Sequence, residues 1–115
     1  VRAYITQRPH TICMTHASHF YPQGTNLYFI YLGCFDSPGA YRGFQSGIID
    51  TIIAHGGSLS HHHGIGRLMA PWMRHHLGDK YMALLRSLKT HFDPRGILNP
   101  GGHLGLDSAG PEEVA

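Results

Sequence analysis

The spacing of apolar positions changes along the chain from a strand period to a helix period. Residues 12–19, ICMTHASH, alternate between apolar and polar, as a half-buried strand does. Residues 27–35, LYFIYLGCF, form a run of aromatic and branched side chains that predicts a central strand. Tyr21-Pro22-Gln23-Gly24-Thr25 lies between them and has turn chemistry. The two runs are therefore expected to form an antiparallel hairpin closed by a loop of several residues. Residues 1–6 are expected to add a short edge strand, ended by Gln7-Arg8-Pro9.

Helical spacing begins after Asp36-Ser37-Pro38-Gly39, which reads as a helix start. Tyr41, Phe44, Ile48 and Ile52 recur on one face, and His55-Gly56-Gly57 supplies the stop. Residues 58–66, SLSHHHGIG, have no helical period. A second helix is expected over residues 67–77 with Leu68, Trp72 and Leu77 inward, or from a first turn at Pro71. Gly78 ends it. A third is expected over residues 79–91, with Tyr81, Leu84, Leu85, Leu88 and Phe92 on its inner face, before Asp93-Pro94-Arg95-Gly96. Strands followed by helices predict an α+β fold: an antiparallel hairpin or sheet packed by about three helices. A bare hairpin is marginal in water, so the sheet is expected to draw further strands from upstream sequence. Residues 107–115 are expected to be a disordered tail.

Composition narrows the function classes. The chain has 115 residues, 42% of them hydrophobic and only 14% charged, with a net charge of +2. So few charges suggest a surface partly covered by another domain or subunit. No basic stripe is present, so nucleic acid is a poor partner. No apolar run approaches the roughly 20 residues that span a bilayer, and the N-terminus has no signal-peptide pattern. A cytoplasmic location is expected, with a membrane-peripheral one open. Cys13 and Cys34 lie in apolar runs and read as buried thiols of a reducing compartment; a disulfide between neighbouring strands is the alternative.

The unusual count is 11 histidines. Three are consecutive, His61-His62-His63, and are flanked by glycines that let backbone approach a ligand. A helix N-terminus near Gly66 would favour an anion there. A solvated polar loop and a zinc site are the competing readings, although no CxxC or HExxH spacing accompanies the run.

Residues 56–66, GGSLSHHHGIG, resemble the histidine loop of the alkylglycerone-phosphate synthases (alkyldihydroxyacetonephosphate synthases). Residues 91–101, HFDPRGILNPG, resemble the closing signature of FAD-linked oxidases of the vanillyl-alcohol-oxidase superfamily. Residues 18–29, SHFYPQGTNLYF, resemble the synthase segment that holds an active-site tyrosine. The dehydrogenases of D-lactate, glycolate and D-2-hydroxyglutarate are similar here, but many carry two metal-binding histidines seven apart in the hairpin and a glutamate in the later loop. The matching positions of this chain are Tyr21, Tyr28 and His62. Two phenols, neutral near pH 7, and an imidazole make a poor divalent-cation site, so no metal is expected.

The resemblance implies that residues 1–106 are the C-terminal (cap) segment of an FAD-linked oxidase whose N-terminal FAD-binding domain is absent. FAD would be bound noncovalently, mostly by that domain. In the synthases an acylated dihydroxyacetone phosphate loses a proton and its fatty acid, and a long-chain alcohol replaces the fatty acid without net redox turnover. By residue match Tyr21 and His62 would be catalytic. His61, His62, His63 and Asn99 would meet the cofactor, with a cap or turn role equally open for Asn99. Tyr28 and His19 would line the substrate. A small-molecule or lipid substrate is expected, and a homodimer is open. An FAD-linked oxidase or dehydrogenase of a 2-hydroxy acid or alcohol is the alternative function. A noncatalytic His-rich fragment is the third.

Overall fold

A computed structural model describes residues 1–102 and 104–106; the expected tail at residues 107–115 lies outside the described residues. The chain falls into two compact units, Val1–His61 and His62–Ala115.

The first unit holds helix α1 (Arg2–Gln7), strands β1 (Ile12–Tyr21) and β2 (Gly24–Leu32), and helix α2 (Pro38–Ala54). The order is α+β, with β1 and β2 paired antiparallel in a two-stranded sheet. The hairpin is tighter than expected. Tyr21 pairs with Gly24, leaving only Pro22 and Gln23 in the loop.

The expected edge strand over residues 1–6 is a helix. Val1, Tyr4 and Ile5 have helical spacing, and all three turn inward, Ile5 fully buried. The six-residue length left this ambiguous with alternation. The helix ends where Arg8 becomes extended ahead of Pro9, as a residue before proline prefers.

Helix α2 has the start and stop read from its ends. Ser37 caps it, its Oγ accepting from the Ala40 N–H at 3.1 Å, and Pro38 fills the first turn. At the far end the Gly57 N–H donates to Ile52 O and the Gly56 N–H to Ile53 O, with Gly56 left-handed at φ 71°. That is a Schellman stop, which a side chain bearing Cβ would strain.

The core of this unit lies between α1, α2 and one face of the hairpin. Ile5, Cys13, Phe44 and Ile48 are buried, with Tyr4, Phe29, Tyr31, Phe35 and Ile52 packed around them. Phe44 stacks with Tyr4 at 5.5 Å and meets Tyr31 edge-on at 5.6 Å. Burying a side chain of this size stabilises by roughly 1.5–3 kcal/mol. Tyr41, expected inward, stays 43% exposed and covers Phe35 from the edge.

The cysteines divide. Cys13 is buried as expected, whereas Cys34 is exposed beyond the end of β2, and both are free thiols. Cys34 O instead accepts from Arg8 Nη2 at 2.9 Å.

The second unit contains α3 (Gly66–Met69), a 3₁₀ turn (Ala70–Trp72) and α4 (Met73–Phe92). The expected helix over residues 67–77 is thus broken into a single α turn, a 3₁₀ turn carrying Pro71, and the start of α4. Proline removes the N–H that would continue the first turn. Gly78 interrupts α4 at φ 78°, ψ 162°, where the sequence placed a stop. Leu68 is exposed rather than inward. On α4 the expected inner face is also turned out. Tyr81, Leu84, Leu88 and Phe92 are exposed and Leu85 half-buried, while Met73 and Met82 carry the burial.

Candidate active site

The tip of the hairpin and the end of the first unit meet at Tyr21 and His61. The Tyr21 Oη lies 3.2 Å from His61 Nε2, and the two rings stack at 5.7 Å with 27° between planes. With Nε2 deprotonated the phenol donates; with Nε2 protonated the imidazole donates. His19 adds a second imidazole, 5.1 Å from the His61 ring. Its Nδ1 is hydrogen-bonded to Ser18 Oγ at 2.8 Å. Tyr28 pairs across the strands with His16, rings 5.8 Å apart.

Three expected site residues, His19, Tyr21 and His61, are therefore together. His62 and His63 open the second unit, their rings 4.2 Å apart, and both are exposed. Gly64 and Gly66 follow with φ 77° and 57°, and a Cβ built on either meets nothing within 4 Å. A helix does start at Gly66, as expected, but α3 has only four residues and so little aligned dipole to offer an anion. Among the described residues no group of three or more His, Cys, Asp or Glu side chains converges as metal ligands.

The closing signature is organised around Asp93, which in sequence stands out only as part of a helix stop. Asp93 is buried, pairs with Lys89, and accepts from the Ile97 N–H at 3.0 Å and the Leu98 N–H at 2.9 Å. Lys89 Nζ also donates to Leu98 O at 2.8 Å. These contacts, first the Lys89 hydrogen bond and then the two backbone donors, hold the Asp93 carboxyl down at about 2 despite its burial. The Lys89 to Asp93 spacing of four was the available signal. Asn99 sits in the turn that follows, left-handed at φ 47°, its carbonyl accepting from the Gly102 N–H at 3.1 Å. Arg67 Nη2 donates to Pro100 O at 3.0 Å.

At the other end of the hairpin, Phe29, Tyr31, Phe35, Tyr41 and Gln45 line a shallow open cleft. Burial, aided by Tyr41, pushes the Tyr31 phenol up to about 12, and it donates to Gln45 Oε1 at 2.6 Å.

The FAD-linked oxidase C-terminal domain model matches residues 2–102. The chain belongs to the FAD-linked oxidases, as their C-terminal domain. It is 39% identical over 107 residues to the uncharacterized FAD-linked oxidoreductase YgcU of Escherichia coli K12, covering 84% of this chain and 22% of that protein. It is also 39% identical over 95 residues to the alkyldihydroxyacetonephosphate synthase of Dictyostelium discoideum, covering 80% of this chain and 15% of the synthase. The glycolate oxidase subunit GlcD of Bacillus subtilis is 36% identical over 61 residues, 53% of this chain and 13% of that protein. No solved structure is significantly similar to this chain. The chain spans about a fifth or less of the length of these relatives.

FAD is the cofactor of this enzyme family. The donor set present fits one side of a flavin ring. Imidazoles and a phenol can each donate or accept, matching a ring edge that carries both acceptors and an N–H. No helix of the described residues is long and apolar enough to cross a membrane.

Proposed function

We propose that this chain is the C-terminal active-site segment of an FAD-dependent enzyme of the alkyldihydroxyacetonephosphate-synthase kind. It would exchange the acyl group of an acylated dihydroxyacetone phosphate for a long-chain alcohol, giving an ether-lipid precursor. The observation that carries this reading is the Tyr21–His61 pair at 3.2 Å. A phenol in contact with an imidazole can move a proton, and the exchange needs one removed from a carbon beside a carbonyl. The similarity to the Dictyostelium synthase over 80% of the chain supports the substrate class.

In this reading Tyr21 carries the proton and His61 holds the phenol in line. His62 acts as hydrogen-bonding or acid/base partner. By residue match, His61, His62, His63 and Asn99 would meet the cofactor, and Tyr28 and His19 would line the substrate. Bound FAD supplies the electrophilic ring on which the exchange depends; most of its binding belongs to the rest of the longer polypeptide. Imidazoles placed beside developing negative charge stabilise it where water is excluded.

A second reading, an FAD-linked oxidase or dehydrogenase of a 2-hydroxy acid, is favoured by the similarity to the glycolate oxidase subunit. Against it stands the phenol–imidazole pair at Tyr21, since a neutral phenol is a poor ligand for a divalent cation.

His62→Ala in the full-length protein tests the first reading. Turnover is expected to fall by about 10²-fold or more with flavin content and thermal midpoint unchanged. Unaltered turnover would remove His62 from the chemistry.

A further inference from the structure

The register of the hairpin decides which way Tyr21 faces. Ser18 pairs with Asn26 and Tyr21 with Gly24, so His19 and Phe20 together oppose the single residue Thr25. Two residues against one is a β-bulge, a feature that re-aims side chains and is common beside active sites. Up to Ser18 the strand alternates without interruption. Cys13 faces the buried core, and Met14, His16 and Ser18 lie on the opposite face. Strict alternation would carry Tyr21 onto the face of Cys13. The additional residue reverses the parity. Tyr21 therefore shares its face with Ser18 and, across the sheet, with Asn26 and Tyr28. On that face it meets His61.

The bulge is strained at His19, whose φ is 53°. Left-handed backbone is uncommon for residues with a Cβ, though His is among the types that adopt it more often. The Ser18 Oγ–His19 Nδ1 hydrogen bond holds the side chain locally in this conformation. Core packing does not account for the bulge, because Phe20, its second residue, is 75% exposed. Strain at a bulge whose second residue is exposed, adjacent to a candidate proton carrier, points to function.

We propose that His19 is a positioning residue: its left-handed backbone at the β1 bulge turns Tyr21 away from the core face and onto His61. The effect on turnover rests on the proposed role of Tyr21; the geometry can be tested separately.

The test uses the full-length FAD-linked protein labelled with 3-fluorotyrosine. The Tyr21 fluorine signal is assigned by its loss in Tyr21→Phe. Contact with His61 is read as a pH titration step of that signal that disappears in His61→Gln. His19→Gly and His19→Asn accept left-handed backbone and are expected to keep the step. His19→Val, which resists it, and deletion of Phe20, which removes the bulge, are expected to lose the step and to lower kcat more than they raise KM. His19→Val carries the test by itself where the deletion does not fold. Retention of the step in His19→Val, or its equal loss in His19→Gly and His19→Val, would overturn the positioning role. Loss of the step in His19→Val with turnover unchanged would uphold the positioning and refute the proton-carrying role of Tyr21.

Discussion

Tyr21 and His61, forty residues apart in sequence, place a phenol oxygen 3.2 Å from an imidazole nitrogen. One sits beside a two-residue hairpin loop, the other at the end of the first unit. A proton can pass between them without rearrangement, since 3.2 Å is within hydrogen-bond reach.

Tyr21→Phe keeps the ring stacked on His61 and removes only the hydroxyl. If the phenol moves the proton, kcat in the full-length protein falls by about 10²–10⁴-fold, and flavin content is unaltered. Steady-state kinetics at saturating substrate checks this. A kcat within a few-fold of wild type would make Tyr21 a packing residue.

Asp93→Asn tests the buckle of the closing signature. The folded carboxyl titrates at about 2 against an ordinary value of 3.8. A depressed carboxylate stabilises the fold above its unfolded pKa, and that stability is lost as pH falls through the folded value. The wild-type thermal midpoint should therefore decline between about pH 4 and pH 2. Asp93→Asn should lower the midpoint at neutral pH and flatten that decline. Melting curves across the range decide it; a mutant curve parallel to wild type would contradict the assignment.

Gly47→Ala probes the packing of α1 on α2. A Cβ at Gly47 would collide with the Tyr4 ring, whose hydroxyl donates to Phe44 O. Overpacking of this kind costs typically 1–3 kcal/mol, although alanine is the better helix former. Chemical denaturation should show a net loss of stability. A gain would mean that Tyr4 swings away freely.

Much of this was legible along the chain. Ser37-Pro38 and His55-Gly56-Gly57 marked both ends of α2 because capping chemistry is local. The hairpin was visible in its alternation. Other features depended on tertiary contacts. Residues 1–6 gave too short a window to separate a helix from a strand, and burial of Ile5 decided it. Periodicity marked the apolar side of α4 but not whether anything covers Tyr81, Leu84 and Leu88, which are exposed. The histidine run was plain in sequence. That His61 is the member touching Tyr21 follows from a hairpin register with a bulge at His19, which no alternation pattern announces.

Giving the full-length, flavin-loaded protein an acylated dihydroxyacetone phosphate and a long-chain alcohol separates the two activities. Bleaching of the flavin spectrum, release of fatty acid and formation of an ether product, with no oxygen consumed, is the predicted result. Bleaching by a 2-hydroxy acid, with no response to the acylated phosphate, would contradict it and favour the hydroxy-acid oxidase reading.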